Sequence, residues 1–357
     1  MQLKPCALPG TTLLATPRGP VPVAEIRADD EVYALDPTQG LRVTRVLRTR
    51  PLDAEPLLRI ETAGRSLCAA ATQPVLTVSG KGKRGGALAW KEASALSKGD
   101  VVVCVLGYGA EDGPQDASLA RMIGAFLGMG YVEDGRAGAN VGDARDSHTA
   151  RYCDLFRSVF PGAGWAYGPG LVGGISCGDE AVGRAIGALG FVSALTQRRV
   201  PRWAFSLSRA CKLALLAGFM DACGRMERDG VGKMIAPLSP ALVGELRELA
   251  ICAGLEVSAM QRKTPRDPDL SPRAFALLSA SSMAALPCWN DTKQVIVTTA
   301  EPPGLSADKL GGVVLPSGAF GQKVRGIEAL PAVVVFDLAV EDSTHSVVAA
   351  GVVAQTG

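Results

Sequence analysis

Residues 216–224, LAGFMDACG, and residues 122–130, MIGAFLGMG, are two apolar stretches of equal length built on one plan. Ala214, Ala217 and Gly218 leave little side-chain bulk on neighbouring turns of the helix that the first stretch predicts, so a second such helix can approach closely. The upstream stretch reads as a second, looser copy of the same helix. Asp221 is the sixth residue of the clearer copy, and a capping or packing role is expected for it. The eighth places hold Met129 and Cys223. Thioether and thiol sulfur suit soft metals, whereas Mg²⁺ takes oxygen ligands. Neither position is expected to hold a hard cation.

The 357 residues exceed what one core usually serves, so two domains are the expectation. A hydrophobic fraction of 47% with 20% charged residues is that of a globular chain rather than a disordered one, and no membrane-spanning run is apparent. A formal charge of +2 does not announce a nucleic-acid binder. Nine cysteines, an odd number without a CxxC pair, argue against a disulfide framework and a zinc ribbon and favour a reducing, intracellular compartment. The opening MQLKPCALPG lacks a basic segment followed by an apolar one, so no secretory signal is expected.

Residues 1 to about 110 read as short β-branched runs separated by Gly, Pro and Asp: VPVAEI, DEVYAL, LRVTRVL, LLRIET, SLCAAA, PVLTV and DVVVCVL. Helical spacing then takes over at 118–126, 151–160, 179–189, 208–220 and 240–253. Strands are expected to return in QVIVTT, KVRGIEAL, VVVFDLAV, HSVVAAG and VVAQ. The order predicts one β domain, formed by residues 1–113 and 292–357, interrupted by an inserted α+β domain at 114–291.

The two copies, with the run-up RRVPRWAFSLSRACKLALLAGFMDACG, resemble the paired motif of LAGLIDADG homing endonucleases. In that family the eighth residue is a metal-holding carboxylate. The flanks resemble inteins: CALPGTTLL aligns Cys6, Gly10 and Thr11 with the amino-terminal block of a Hint domain, with Asp29-Asp30 at its Gly-Asp turn. GRSLCAAATQPVLTV resembles the second block, with Gln73 at the usual histidine. VVVFDLAVEDSTHSVVAAGVVAQTG resembles the final two blocks, with Asp337 and His345 at the acidic residue and histidine. The whole resembles eukaryotic inteins of the vacuolar-ATPase type and the mating-type switching endonuclease. The implied fold is an all-β, horseshoe-like Hint domain made from both chain ends around a LAGLIDADG domain of two pseudo-symmetric halves.

The resemblance also implies chemistry, and the substitutions remove parts of it. Cys6 has the thiol that would attack the preceding carbonyl. Gln73 can donate a hydrogen bond there but cannot shuttle a proton. With Thr356 in the place of the cyclising Asn, cyclisation is impossible; with the register shifted by one, Gln355 cyclises and Thr356 follows as nucleophile, with Ala354 as a poor helper. Cys6 is open to a reactive or a merely buried reading, whereas structural roles are expected for Asp337, at a turn, and His345, at a strand end. His148 is expected in a polar loop without a partner. No Mg²⁺ or other cofactor is expected. Three functional readings follow: an inert scaffold serving as structural or binding subunit of a larger protein or ribonucleoprotein assembly, residual autoprocessing at Cys6, or a non-cleaving DNA-binding module. The basic segments QRRVPRW and MQRKTPR are expected to be solvated loops giving at most weak nucleic-acid binding. No membrane partner is expected.

Overall fold

The computed structural model describes residues 6–79, 87–109, 113, 115–133, 135–142, 147–168, 174–227, 230–236, 238–263, 273–293 and 319–357. The expected strand QVIVTT lies outside them. The architecture is mixed and rich in sheet. The chain forms two compact units, one of Met1–Ala110 with Pro303–Gly357 and one of Glu111–Pro302. Both divides fall outside the described residues.

The first unit is built on two sheets. One centres on a long antiparallel ribbon of Gly40–Glu61 with Gly326–Val340. Sequence reading broke each of these strands in two. Pro51 stays in the ribbon because it lies opposite Phe336 at a register shift, where a bulge spares the missing N–H from a ladder bond. The short strand Leu8–Pro9 pairs with the same segment, Leu8 opposite Phe336.

The other sheet has eight strands and holds the C-terminal hairpin, Ser346–Ala349 and Val352–Gln355, both wholly buried. Ala354 lies opposite Val75 of strand Pro74–Ser79, and Val352 opposite Cys104. Val75, Val102, Val103, Val347, Val348 and Val353 are inaccessible to solvent, and removing that apolar surface from water holds the strands in register. The N-terminal strand is thereby brought beside Asp337, and the C-terminal strand beside the residue that precedes Pro74.

The second unit repeats one supersecondary pattern twice. The first half runs α1 (Ala117–Met129), strands Gly130–Glu133 and Arg136–Asn140, α2 (Ser147–Val159), strands Ala166–Gly168 and Gly174–Cys177, and α3 (Glu180–Ala188). The second runs α4 (Arg209–Cys223), strands Arg225–Met226 and Gly232–Ala236, α5 (Pro240–Cys252), strands Gln261–Lys263 and Arg273–Leu278, and α6 (Ala280–Ala285). Each half has a four-stranded antiparallel sheet in which the first strand pairs the second, the second the fourth, and the fourth the third. Asp116, Asp179, Ser208, Ser239 and Ser279 cap the amino ends of α1, α3, α4, α5 and α6 with their side chains.

α1 and α4 meet at backbone contact. A Cβ on Gly124 would lie 1.9 Å from the Leu215 carbonyl oxygen, and one on Gly218 would lie 2.1 Å from that of Arg121. Only glycine fits at either place. Beneath α1, Phe126 packs on Phe156 at 5.6 Å and edge-on to Phe191 at 5.3 Å between ring centroids.

Candidate functional site

In the first unit both chain ends meet at Gln73, which is fully buried. Its Oε1 accepts from the Ala7 backbone N–H at 2.7 Å. Its Nε2 donates to the carbonyls of Pro74 and Gln355, each at 2.9 Å. One amide side chain thus ties the residue after Cys6 to the carbonyl before Thr356, using its acceptor and both donor hydrogens. The Ala7 carbonyl in turn accepts from Ala70 N–H at 2.9 Å, so the first strand is held on both sides of its backbone.

Cys6 is fully buried. Its N–H donates to Asp337 Oδ1 at 3.1 Å. Burial pushes its thiol well above the usual range, the Asp337 carboxylate adds to this, and a Leu338 backbone hydrogen bond offsets it in part. A thiol so placed carries almost no thiolate near neutrality, and the thiolate is the nucleophile. Asp337 is not at a turn, as the sequence had suggested, but inside the long strand Gly326–Val340 with no exposed surface. Its Oδ2 accepts from Arg48 at 3.0 Å and Arg50 at 3.1 Å. Two guanidinium partners and a backbone donor compensate the buried charge.

His345 immediately precedes strand Ser346–Ala349 with φ of +46°, a conformation uncommon outside glycine. Its carbonyl accepts from Thr356 N–H at 2.8 Å. Thr356 is fully buried, and its Oγ1 and His345 Nδ1 are both buried without a hydrogen-bond partner among the described residues. The Gln355 side chain is buried as well. Cys6, Gln73, Asp337, Gln355, Thr356 and His345 therefore belong to one hydrogen-bonded neighbourhood. A histidine at position 73 could move a proton, but the amide found there can only hold and polarise its partners.

In the second unit the C-terminal ends of α1 and α4 converge. A Cβ on Gly128 would lie 2.9 Å from Ala222 Cβ and 3.2 Å from Cys223 Sγ. Met129 is substantially exposed, whereas Cys223 is half-buried with Sγ 3.6 Å from the Phe219 and Ile235 carbonyls, and desolvation pushes its thiol up to about 12. Asp221 is buried beneath the pair. It accepts from Tyr152 hydroxyl at 2.7 Å, Arg121 at 3.3 Å, and the backbone N–H groups of Trp289 and Asn290. A carboxylate so occupied is an anchor for the chain after α6.

Sequence reading missed two basic residues at these helix ends. Arg198 Nη1 donates to the carbonyls of Leu127 at 3.2 Å and Gly128 at 3.1 Å, and Nη2 to that of Gly130. Lys293 Nζ donates to the carbonyls of Met220 at 2.5 Å and Asp221 at 2.7 Å. Each follows the third helix of its half and caps the first, placing a cation at the negative end of the helix dipole. Burial lowers the pKa of both. Arg198, expected in a solvated loop, is almost wholly buried. Part of the other basic segment, MQRKTPR, lies outside the described residues. His148 is likewise not in a loop: it is buried on α2, its Nε2 2.7 Å from the Val141 carbonyl.

Mg²⁺ does not fit this centre. The eighth positions supply sulfur rather than carboxylate oxygen, and the carbonyls at the helix ends are taken by Arg198 and Lys293. Among the described residues no group of three or more His, Cys, Asp or Glu could hold a metal ion. None of the nine cysteines forms a disulfide. No helix among the described residues is long and apolar enough to cross a membrane.

No protein-family model matches the chain. Over 85 residues it is 35% identical to an iron-sulfur cluster assembly SufBD family protein, ML0593, of Mycobacterium leprae, which covers 23% of this chain but only 10% of that protein. Similar solved structures are inteins and intein-like domains. The Ssp DnaB mini-intein variant M86 is 22% identical, with a TM-score of 0.26, covering 29% of this chain and 64% of that one. A bacterial intein-like domain from Clostridium thermocellum is 26% identical, with a TM-score of 0.23 and coverages of 27% and 65%. The TvoVMA intein is 16% identical, with a TM-score of 0.25 and coverages of 29% and 72%.

Proposed function

We propose that this chain is an intein-like element whose two ends form a Hint-type unit, and that the unit serves to hold those ends together without thioester chemistry at Cys6. The observation that carries the reading is the double hydrogen bond of Gln73, to Ala7 N–H and to the Gln355 carbonyl. The sequence blocks around Cys6, Gln73, Asp337 and His345 support it, because they converge at one place. The inserted unit is read as a LAGLIDADG-type fold: its twice-repeated pattern and the glycine contact of α1 with α4 support this. Its centre, where Arg198 and Lys293 take the helix-end carbonyls and Met129 and Cys223 stand at the eighth positions, suits a scaffold rather than a metal-dependent nuclease. A short stretch of likeness within one tenth of a much longer protein is what an element carried inside a host would give, so the partner proposed is a host polypeptide or its assembly.

The test is the intact mass of the protein before and after prolonged incubation with a thiol. The reading expects no change at Cys6, since burial and Asp337 both disfavour the thiolate. Thiol-dependent loss of the five residues before Cys6 would overturn it in favour of autoprocessing at that position.

A further inference from the structure

The Gln355–Thr356 peptide bond carries features that the joining of ends does not require. Its carbonyl oxygen accepts from Gln73 Nε2 at 2.9 Å, and its N–H is held by the His345 carbonyl at 2.8 Å, so the plane of the amide is fixed from both sides. Thr356 has no exposed surface, yet its hydroxyl has no partner. Leaving a buried hydroxyl unbonded is destabilising. A methyl-bearing side chain such as valine would fill the same space without that cost, so the hydroxyl needs another explanation. Nearby in the hydrogen-bond chain, His345 also has a buried ring nitrogen without a partner.

We propose that Thr356 Oγ1 attacks the Gln355 carbonyl carbon in an N-to-O acyl shift, making this bond a self-cleavage site. The inference rests on the joined ends described above, which supply the Gln73 donor. The C–Oγ1 bond forms and the Gln355 C–N bond breaks. The hydroxyl proton passes to the departing nitrogen. The product is an ester and a free amine, and no other reactant is consumed. Gln73 Nε2 stabilises the negative charge that develops on the carbonyl oxygen, the role of an oxyanion-hole donor. Gln73 is thus unsuited to acid-base work but suited to this one. The amide is the more stable isomer, so the ester accumulates only when a second nucleophile removes it.

Hydroxylamine is that nucleophile: it bonds to the acyl carbon, breaks the C–Oγ1 bond and leaves a hydroxamate on Gln355. The experiment treats the folded full-length protein with neutral hydroxylamine and follows intact mass. Release of everything after Gln355, with a hydroxamate on the remaining chain, is expected for the native protein and for Thr356→Ser. Thr356→Ala and the native protein unfolded in urea are expected to stay whole, and Gln73→Leu to react at least tenfold more slowly. No release from the folded native protein would overturn the proposal. So would equal release from Thr356→Ala, which points instead to cyclisation of the Gln355 side chain, or equal release in urea. Hydrogen exchange of Val352–Gln355 in Gln73→Leu separates the two ideas: unchanged protection together with Thr356-dependent release would sink the joining role and leave the acyl shift standing.

Discussion

Asp29 shows how a single position can meet a backbone requirement that glycine suits best. Its φ of +69° is the conformation that glycine adopts without cost, and the equivalent turn later in the same unit has Gly99 at +97° before Asp100. Asp30 and Asp100 do the same work, accepting from Arg27 N–H at 2.7 Å and Ser97 N–H at 2.8 Å. The ion pair of Asp29 with Arg45 is 4.0 Å long and exposed, so it contributes little. Asp29→Gly should therefore raise stability by roughly 0.5 kcal/mol in urea unfolding, relief of the left-handed strain outweighing the greater freedom of glycine in the unfolded chain. At Cys6 the sequence left a reactive and an inert thiol open, and its full burial supports the proposed inert one. Alkylation by iodoacetamide at pH 8 should leave Cys6 unmodified in the folded protein and label it once urea is added.

At the scale of elements, the helix pair makes the sharpest claim. Gly124→Ala would gain up to about 1 kcal/mol of helix propensity but would set a methyl group 1.9 Å from a backbone oxygen. That group cannot move aside without parting the helices, so a net loss of about 3 kcal/mol or more is expected by thermal or urea unfolding. An unchanged midpoint would mean that the helices are not in backbone contact. These helices were legible in the sequence because small residues recur at helical spacing. The ribbon of Gly40–Glu61 with Gly326–Val340 was not, because Pro51 and Pro56 read locally as breaks, and only the partner strand shows that shifts of register absorb them. Arg198 and Lys293 were missed for a similar reason. Each reads as one more basic residue until the two halves are aligned, when both fall after the third helix.

For the whole molecule, acid should act through paired carboxylates. Asp100 is held below the usual carboxylate range by its hydrogen bond to Lys91 and by Ser97 N–H, against some desolvation. Asp342 is also lowered, the hydrogen bonds of Thr344 and the Arg42 ion pair overcoming desolvation. A depressed folded pKa contributes stability that is present above the unfolded value, about 3.9, and is lost as pH falls through the folded value. The melting temperature should thus decline below about pH 4, less steeply in Asp100→Asn. Supercoiled plasmid should stay uncut with Mg²⁺ present, since the helix ends offer sulfur and ammonium or guanidinium groups where a nuclease needs carboxylates.

The blocks around Cys6, Gln73, Asp337 and His345 were legible in the sequence, and the structure brings these residues into one hydrogen-bonded neighbourhood. What those residues do there was not legible, since a sequence motif does not reveal that an amide spans two strands or that a hydroxyl lacks a partner. The joining of the two ends is the central claim, and backbone hydrogen exchange of native protein beside Gln73→Leu tests it most directly. Faster exchange at Ala7 and across Val352–Gln355, with the second unit unaffected and stability lower by about 3 kcal/mol or more from the three backbone groups that lose their partner, is the predicted result. Equal protection of both terminal strands in the two proteins would contradict it.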